Sequence, residues 1–402
     1  MSTADTNPDY WSEYSNLQKV KHELIHEYLK GWFPKMALGT RGSKQLMYMD
    51  THAGRGTHLT GELGSPLVAL TTLIDHTARD QVLRNTKMSY VFIERDEDNL
   101  AALRSEMAKL QIPPNVLTDP KSGDCYQIIE NTIAGYEKRG QHLPPAFIFV
   151  DPYGFKVPGK LLRKLISFPR VELFVNVIWR ELDMAICQFL PNRAPESASV
   201  RTSGGGLFDQ CDVEPAPEPM RRCPPESNAK LAATLDSVFD GDAWRKIDAA
   251  DSDGRAEQCA DILRRMTGAG WGTHLRMLDN GRVRYFLLHL TKHNAGRDLI
   301  KTCMWKVCPD GGFSASKSDN PRQVVLIQPE PDLRPLFGWV REKLAAGPKR
   351  WHALADDIRE ELWLKKHMNQ VLRSMRASGT LHCEGKFAET QNPLLGLAAG
   401  HL

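Results

Sequence analysis

Two short segments of this 402-residue chain carry the residue types that could perform chemistry. Residues 50–56 read Asp-Thr-His-Ala-Gly-Arg-Gly and follow the apolar run 46–49, whereas residues 151–155 read Asp-Pro-Tyr-Gly-Phe and follow the apolar run 147–150. Each run has the composition of a buried parallel strand that ends in an abrupt turn. Because ligands of open α/β sheets bind beyond the carboxyl ends of the strands, we expect both segments to border one crevice.

The first segment is suited to a nucleoside cofactor. Gly54 and Gly56 lack side chains and so permit close approach of the backbone, and Asp50 is placed to bind the amino group of a methionine moiety. Position 59 is Leu59, so the segment is not the dinucleotide pattern G-x-G-x-x-G. We predict that S-adenosylmethionine is bound by Asp50, His52, Ala53, Gly54, Gly56, Glu94 and Asp124.

Two of these cofactor residues come from later strand ends. Glu94 ends the run 91–93, where an acid typically accepts hydrogen bonds from ribose hydroxyls, and Asp96 is a less favoured substitute. Asp124 opens a helix-like segment and is predicted to contact the adenine amino group or to cap the helix, two roles that are compatible. The competing interpretations are a merely tight turn at Gly54 and an exposed strand-end charge at Glu94.

The second segment suits an amino group on a flat ring. Methylation of an amine needs an acceptor that turns the nitrogen lone pair toward the methyl group, and a carboxylate with a neighbouring carbonyl can serve. We predict catalytic roles for Asp151, for the carbonyl of Pro152, and for Tyr153 or Phe155, whose ring would stack on a flipped base. A plain strand-terminating turn is the competing interpretation.

Composition sets bounds on the class of protein. The chain is 41% hydrophobic and 25% charged with a net charge of +3, which is ordinary for a soluble globular protein and permits a nucleic-acid partner. Its eight cysteines contain no CxxC pair, so no metal site is predicted. No apolar run reaches the roughly 20 residues of a membrane span, and the amino terminus lacks the order of a secretory signal. We therefore expect a cytoplasmic protein without a membrane partner.

Strand-like and helix-like segments alternate along the first part of the chain. Strands are predicted at 46–49, 90–93, 147–150 and 173–178, and helices at 15–33, 65–75, 97–110, 123–136 and 158–166. This alternation predicts an α/β fold, a Rossmann-like methyltransferase sheet with helices on both faces. Residues 273–278 and 283–291, joined by a turn at Asn280-Gly281, would form its last two strands, the final one antiparallel, and a helix at 296–307 would cover them.

Changes in composition divide the chain further. We predict a methyltransferase-like domain over residues 1–313, with a flexible Pro-, Gly- and Ser-rich insertion at 191–228 and a helical insertion at 229–270. Residues 314–335 are rich in proline and charge and are predicted to be a linker. Residues 336–402 would then form a small domain of their own.

This terminal domain has the pattern of a winged helix-turn-helix. Helices are predicted at 336–345, 351–360 and 364–377, followed by a short β-wing at 379–387. Basic residues on the third of these helices would contact the phosphates of a nucleic acid, namely Lys365, Lys366, Arg373 and Arg376. A solvated helix face and a protein-contact module are the competing interpretations.

Several motifs, in the same order along the chain, resemble the three-Cys-motif partner protein family. They are Lys21…Leu24…Tyr28-Leu29…Trp32, Tyr48-Met49-Asp50…Ala53-Gly54-x-Gly56, Gly64-Ser65-Pro66, Phe92-Ile93-Glu94, Phe149-Val150-Asp151-Pro152-Tyr153-Gly154 and Thr291-Lys292-His293. The similarity covers most of 15–310. It implies a methyltransferase-like fold in a bacterial or phage protein that works beside a radical-SAM-like protein carrying three cysteines.

Residues 50–54 are also similar to bacterial enzymes that methylate an adenine amino group in large-subunit ribosomal RNA. The catalytic motif of that family is Asp-Pro-Pro-Tyr, whereas this chain has Asp151-Pro152-Tyr153-Gly154. One proline is absent, so the ring arrives one position early, and successive strand-end residues point in different directions. Cofactor binding is expected to survive this departure, whereas base methylation depends on whether Tyr153 or Phe155 supplies the ring.

Two functions follow as expectations. The first is an S-adenosylmethionine-dependent methyltransferase that acts on an amino group of a nucleic-acid base in DNA or RNA, with the winged helix presenting the substrate. The second is a methyltransferase-fold partner protein, without catalytic activity of its own, that works with the radical-SAM-like three-Cys-motif protein. A transcriptional regulator is the weakest alternative, because it would leave most of the chain without a purpose.

Overall fold

An eight-stranded sheet forms the centre of the structure, a computed structural model that describes residues 14–40, 42–190, 225–320 and 330–398. The strands are β1 (Gln45–Asp50), β2 (Lys87–Glu94), β3 (Val116–Ser122), β4 (Ala146–Val150), β5 (Val171–Val177), β6 (Trp271–Asp279), β7 (Arg282–Thr291) and β8 (Ser314–Ser316). Their order across the sheet is β3-β2-β1-β4-β5-β7-β6-β8. Among them β7 alone runs antiparallel to its neighbours β5 and β6.

Helices cover both faces of this sheet. One face carries α1 (Asn16–Leu38), α2 (Ser65–Ile74), α3 (Arg79–Leu83), α4 (Glu97–Ala108) and α10 (Asn294–Val307). The other carries α5 (Cys125–Lys138), α6 (Gly159–Ser167), α7 (Trp179–Cys187), α8 (Pro225–Val238) and α9 (Ser252–Thr267). The predicted Rossmann-like α/β fold with helices on both faces is thereby confirmed.

Alternation along the strands divides the core into two layers. In β1, Leu46 and Tyr48 pack in the layer under α1, whereas Met47 and Met49 pack in the layer under α5 and α6. Successive side chains of a strand point to opposite faces, so an apolar run buries both. For this reason the central strands appear in the sequence as continuous apolar stretches.

The crevice lies where the order of the strands changes direction. From β1 the chain moves outward to β2 and β3 on one side, and then returns to β4 and β5 on the other side of β1. Strand β1 pairs in parallel with both β2 and β4, with Asp50 opposite Phe92 and Phe149. The carboxyl ends of β1 and β4 therefore adjoin at the topological switch point, the position at which such sheets bind ligands.

Helix α1 continues past Pro34, where the sequence predicted its end. The helix runs to Leu38 and stops at Gly39. A proline in a helix leaves the carbonyl four residues earlier without its usual partner, and here His76 Nε2 lies 2.9 Å from the Lys30 carbonyl oxygen. This replacement contact, together with the buried Phe33 side chain, explains why the helix persists.

Two parts of the sheet were missed in the sequence. Strand β3 contains polar residues and Pro120, which are tolerated because β3 lies at the edge of the sheet and bonds on one side only. The predicted linker 314–335 is wrong at its start, because β8 pairs with β6 over Arg276–Leu278.

The predicted insertions are only partly within the described residues. Residues 191–224 of the segment 191–228 lie outside them, whereas 225–228 begin α8. The segment 229–270, predicted to be a helical insertion, contains most of α8 and all of α9, and α9 covers the sheet by packing against α6, α7, β6 and β7. Within the described parts of the chain, no helix has the length and apolar character needed to cross a membrane.

A small terminal unit follows the sheet. It contains α11 (Arg334–Ala345), β9 (Lys349–Arg350), α12 (Trp351–Asp357), α13 (Lys365–Ala377), β10 (Leu381–Cys383) and β11 (Leu394–Leu397). Strand β11 pairs antiparallel with both β10 and β9. The three helices and this sheet enclose a separate apolar core that includes Leu336, Leu354 and Leu372. The wing predicted at 379–387 therefore has its first strand there, but its partner strand lies beyond residue 387.

Three side chains of α10 attach this unit to the sheet domain. Lys301 Nζ donates to the Ile358 carbonyl at 2.8 Å, and Trp305 Nε1 donates to the Leu362 carbonyl at 2.8 Å. Arg297 Nη2 donates to the backbone carbonyl of Glu360 at 3.0 Å. These contacts satisfy the backbone between α12 and α13, where a buried unpaired carbonyl would be destabilising.

Candidate active site

Two adjoining cavities open at the carboxyl ends of the central strands. The β2-side cavity, of about 300 Å³, is bordered by residues that follow β2 and β3. The β4-side cavity, of about 390 Å³, is bordered by residues that follow β4 and β5 and by the start of α1. His52 and Tyr153 border both cavities, and their rings meet edge to face with centroids 6.0 Å apart. The two segments singled out in the sequence therefore share one crevice.

Asp50 is fully buried at the end of β1 and borders neither cavity. Its Oδ2 accepts a hydrogen bond from Ser65 Oγ at 2.6 Å, and its Oδ1 accepts one from the His52 backbone N–H at 3.2 Å. Burial raises the pKa of this carboxyl to about 7, an effect that the charge of Asp151 reinforces and the Ser65 hydrogen bond opposes. Asp50 thus holds the turn after β1 against the start of α2, instead of lying at a cavity wall.

The turn after β1 is built around two glycines in left-handed conformations. Gly54 has a φ of 62°, and its N–H donates to Glu94 Oε2 at 2.7 Å. Gly56 has a φ of 88°, and a Cβ at this position would lie 2.8 Å from Leu103 Cδ1. Glycine meets both demands without strain. Ala53 and Gly54 border the β4-side cavity, whereas Gly56 supports the turn without reaching either cavity.

Glu94 ends β2 and borders the β2-side cavity. It is 4% exposed, and its two oxygens accept hydrogen bonds from the backbone N–H groups of Gly54 and Asp96. Burial raises the pKa of this carboxyl, and the backbone hydrogen bonds oppose the shift. Glu94 therefore ties the end of β2 to the glycine turn and still forms part of the cavity wall.

Two helix caps complete the same wall. Asp96 Oδ1 accepts from the Asn99 N–H at 2.8 Å, and Asp124 Oδ1 accepts from the Gln127 N–H at 3.0 Å. Both carboxylates border the β2-side cavity, so the cap and ligand roles predicted for Asp124 are compatible. Tyr126 adds an aromatic ring to this cavity. Carboxylates beside a flat ring suit the hydroxyls and base of a nucleoside.

Asp151 lies at the end of β4 with both of its oxygens engaged. Oδ2 is 2.7 Å from Lys21 Nζ, and Oδ1 accepts a hydrogen bond from Asn176 Nδ2 at 2.6 Å. The side chain of Lys21 is 5% exposed and that of Asp151 is 13% exposed, so water screens this ion pair little. All three residues border the β4-side cavity.

The two aromatic candidates after Asp151 point to different places. Tyr153 is 48% exposed and borders both cavities, whereas Phe155 packs against the apolar core under α5 and α6 and borders neither. Pro152 is buried and lies in the wall of the β4-side cavity. Phe155 therefore does not replace the ring that the shifted motif displaces, and Tyr153 is the ring available to a ligand.

Lys21 was missed in the sequence as a residue of the site. A signal for it existed, because Lys21 falls on the stripe of α1 formed by Leu17, Leu24 and Tyr28, all of which are buried. A charged side chain on a buried helix stripe needs a partner of opposite charge. The sequence could not identify that partner, because Asp151 lies 130 positions away.

Metal and thiol chemistry find little support in the site. Among the described residues, no group of three or more His, Cys, Asp or Glu side chains is arranged to hold a metal ion. Cys125 borders the β2-side cavity with its Sγ 3.6 Å from His52 Nε2, and burial raises the pKa of the thiol to about 12. A thiol that stays protonated near neutral pH is a poor nucleophile.

The basic residues predicted to bind nucleic acid lie on α13, which is distant in sequence from the residues after β1 and β4. Lys365 Nζ is 2.9 Å from Glu389 Oε1, and Arg376 Nη1 donates to the Gly385 carbonyl at 2.9 Å. Lys366 and Arg373 are exposed. Two of the four predicted side chains therefore also brace the turn after β10, and two lie on the open face of the helix.

The chain has few detectable similarities to known proteins. No family model matches the chain, and no curated protein matches it. Among solved structures, the chain is similar to a crystal structure of a Legionella pneumophila protein described by the family model DUF519. The two share 14% sequence identity with a TM-score of 0.25, over 40% of this chain and 68% of that one.

Proposed function

We propose that the chain is an S-adenosylmethionine-dependent methyltransferase that acts on an amino group of a nucleic-acid base. The observation that carries the proposal is the pair of cavities that meet at His52 and Tyr153. One contains the carboxylates suited to a nucleoside, and the other contains Asp151 at the end of β4. The position of β7, antiparallel between β5 and β6, is the arrangement expected of the last strands of a methyltransferase sheet.

The residues of the crevice fit the proposed cofactor. Glu94 and Asp124 would accept hydrogen bonds from the ribose hydroxyls and the adenine amino group, with Tyr126 beside the ring. Ala53 and Gly54 would hold the methionine end by their backbone at the β4-side cavity. When bound, S-adenosylmethionine supplies a methyl group on a positively charged sulfur. In this arrangement Asp50 acts by fixing the glycine turn.

The acceptor would occupy the β4-side cavity. Asp151 and the carbonyl of Pro152 would accept hydrogen bonds from the amino group and so direct the nitrogen lone pair, while Tyr153 would stack on the base. Lys21 and Asn176 would keep the carboxylate in this orientation. Transfer would form the new N–C bond while the bond between the methyl carbon and the sulfur breaks, and the sulfur would leave as a neutral thioether. The nitrogen would lose a proton, which Asp151 at the cavity wall would pass to water.

The terminal unit would present the nucleic acid. Three helices followed by the paired strands β10 and β11 have the order of a winged helix-turn-helix, and Lys366 and Arg373 lie on the exposed face of its third helix. Such a face would contact phosphates without reading sequence.

A second candidate is favoured by one observation. Both oxygens of Asp151 are already engaged, by Lys21 and Asn176, and the catalytic motif lacks one proline. In a non-catalytic partner protein this carboxylate would be structural. The chain would then bind S-adenosylmethionine, or no cofactor, and would act beside a radical-SAM-like protein with three cysteines.

One experiment separates the two candidates. Calorimetric titration with S-adenosylmethionine should show binding near micromolar strength, roughly −8 kcal/mol, and Glu94→Gln should weaken it because the amide loses an acceptor for the Gly54 N–H. Asp151→Asn should bind within a few-fold of the unmodified chain but transfer no labelled methyl group to total RNA or DNA. Cofactor binding without transfer by the unmodified chain would favour the partner protein, and an absence of binding would exclude the methyltransferase.

A further inference from the structure

Exposed basic residues lie at the mouth of the β4-side cavity. Arg284 of β7 and Lys317, which follows β8, border this cavity, and both are exposed. Strands β7 and β8 lie on the other side of the sheet from β2 and β3, so these residues approach the crevice from the side away from the β2-side cavity. Neither residue was predicted from the sequence to belong to the site. The acceptor cavity thus has cations on the side away from the proposed cofactor.

The amino-terminal end of α1 lies at the same mouth. Ser15 and Leu17 border the cavity, and Asn16 Nδ2 donates to the Ser316 carbonyl at 3.0 Å, which places the first turn of α1 beside Lys317. The helix is 23 residues long, and its first turn contains no acidic residue. The amino terminus of a helix carries partial positive charge, so its field adds to that of the two cations.

Three acidic residues lie near the mouth of the β4-side cavity, and two of them, Asp279 and Asp319, are engaged in contacts of their own. Glu181 borders the cavity, Asp279 Oδ2 lies 3.5 Å from Arg284 Nη1, and Asp319 Oδ2 accepts from the Ser316 N–H. The Asp279 contact is an ion pair between side chains that are 49% and 27% exposed, and it engages one nitrogen of the Arg284 guanidinium. Asp319 acts mainly on the turn that carries Lys317.

We propose that Arg284 and Lys317, beside the amino-terminal end of α1, bind the phosphodiester groups next to the target base. The inference rests on the proposed function and deepens it, because it identifies the acceptor as a nucleotide within a strand rather than a free base or nucleoside. An arginine binds two phosphate oxygens at once, and a lysine supplies a compact charge. With the phosphates held at the rim, a flipped base would extend inward to Tyr153 and Asp151.

The test is the salt dependence of binding to single-stranded DNA and RNA oligonucleotides of mixed sequence. The logarithm of the affinity falls linearly with the logarithm of the salt concentration. Each phosphate contact that is lost should make this slope less steep by about 0.7. We expect this reduction in Arg284→Ala and in Lys317→Ala, together with a higher KM for methyl transfer. Arg282→Ala is the matched control, since Arg282 lies on the same strand and is exposed but borders neither cavity.

The outcomes separate this inference from the function on which it rests. Suppose that the unmodified chain methylates an oligonucleotide, and that Arg284→Ala and Lys317→Ala show the same salt dependence of binding as the unmodified chain. The proposed phosphate site is then wrong, and the proposed methyltransferase activity is retained. If the chain binds S-adenosylmethionine but neither binds nor methylates DNA or RNA, both the proposed function and the proposed phosphate site are wrong. If polyglutamate binds through Arg284 and oligonucleotides do not, Arg284 and Lys317 form a site for an acidic peptide instead. A slope reduced only with RNA, or only with DNA, would identify the substrate class.

Discussion

The Lys21 ammonium lies 2.7 Å from Asp151 Oδ2 and joins the first helix of the chain to the end of β4, 130 positions later. The pair is largely screened from water and borders the cavity proposed for the acceptor. Lys21 also lies close enough to lower the pKa of His22, although burial is the larger cause of that shift. One largely buried charge pair therefore joins α1 to the end of β4 at the wall of the β4-side cavity.

Breaking this pair should destabilise the chain strongly. Lys21→Met leaves the Asp151 carboxylate without its cation, and Asp151→Asn leaves a buried ammonium, so each should cost about 3 kcal/mol in the free energy of unfolding. The double variant should be more stable than the sum of the two changes predicts, by about 1 to 3 kcal/mol. Urea unfolding of the four proteins measures this coupling. The pair Lys306 and Glu27, which is more exposed, is the control and should show a coupling below about 1 kcal/mol.

The two rings after β4 should have separate roles. Tyr153→Ala should raise KM for an oligonucleotide about 5- to 150-fold, because stacking of a base on an aromatic ring contributes about 1–3 kcal/mol. Tyr153→Phe keeps the ring and should stay near the unmodified value. Phe155→Leu should lower stability by about 1 kcal/mol without changing KM, since the half-buried Phe155 ring packs against the apolar core. A raised KM in Phe155→Leu alone would reverse this assignment.

Most strands of the central sheet could be predicted because the composition of a buried strand depends only on its own residues. A parallel strand buried on both faces must be apolar throughout, so β1, β4 and β5 were visible as runs. Strand β3 was not, because an edge position tolerates the polar residues and Pro120 that it contains. Helix α1 passes Pro34 because His76, from a distant part of the chain, contacts the Lys30 carbonyl oxygen.

The candidate site was less predictable, because its contacts join distant parts of the chain. The sequence indicated a crevice at the residues after β1 and β4, and the structure brings His52 and Tyr153 together there. It could not indicate that Asp50 is fully buried, that Asp151 pairs with Lys21, or that Phe155 packs against the core. Those facts depend on the direction of each side chain in the folded chain, which residue order alone does not fix.

The glycine turn should be sensitive to a single methyl group. Gly56→Ala places a Cβ 2.8 Å from the buried Leu103 side chain at a φ of 88°, so it combines backbone strain of about 1–3 kcal/mol with overpacking of about 1–3 kcal/mol. Gly61→Ala has a φ of 97° but open space around the new methyl group, so it should show the strain alone. Urea unfolding should therefore rank Gly56→Ala as the less stable of the two. Titration with S-adenosylmethionine should show weaker binding in that variant only.

Asp50 should make the chain less stable as pH rises toward neutrality. Its pKa is raised from 3.8 to about 7, so between these values the unfolded chain releases the proton first and the native state is progressively disfavoured. The loss approaches on the order of 4 kcal/mol at pH 7. Asp50→Asn, which cannot ionise, should remove this slope when the free energy of unfolding is followed from pH 4 to pH 7. Asp80→Asn, at an exposed carboxyl, should keep the slope of the unmodified chain.

Lys301 should have the opposite effect on stability, at higher pH than Asp50. Burial lowers its pKa from 10.5 to about 7, so between pH 7 and 10 the native state binds fewer protons than the unfolded chain, and stability should rise with pH. Lys301→Met should flatten that rise, by a few kcal/mol at most, when unfolding by urea is compared at pH 7 and pH 9. Lys306→Met is the matched control, because it changes an exposed lysine of the same helix and should leave the rise intact. An unchanged pH profile in Lys301→Met would mean that the ammonium at the junction with the terminal unit is not desolvated.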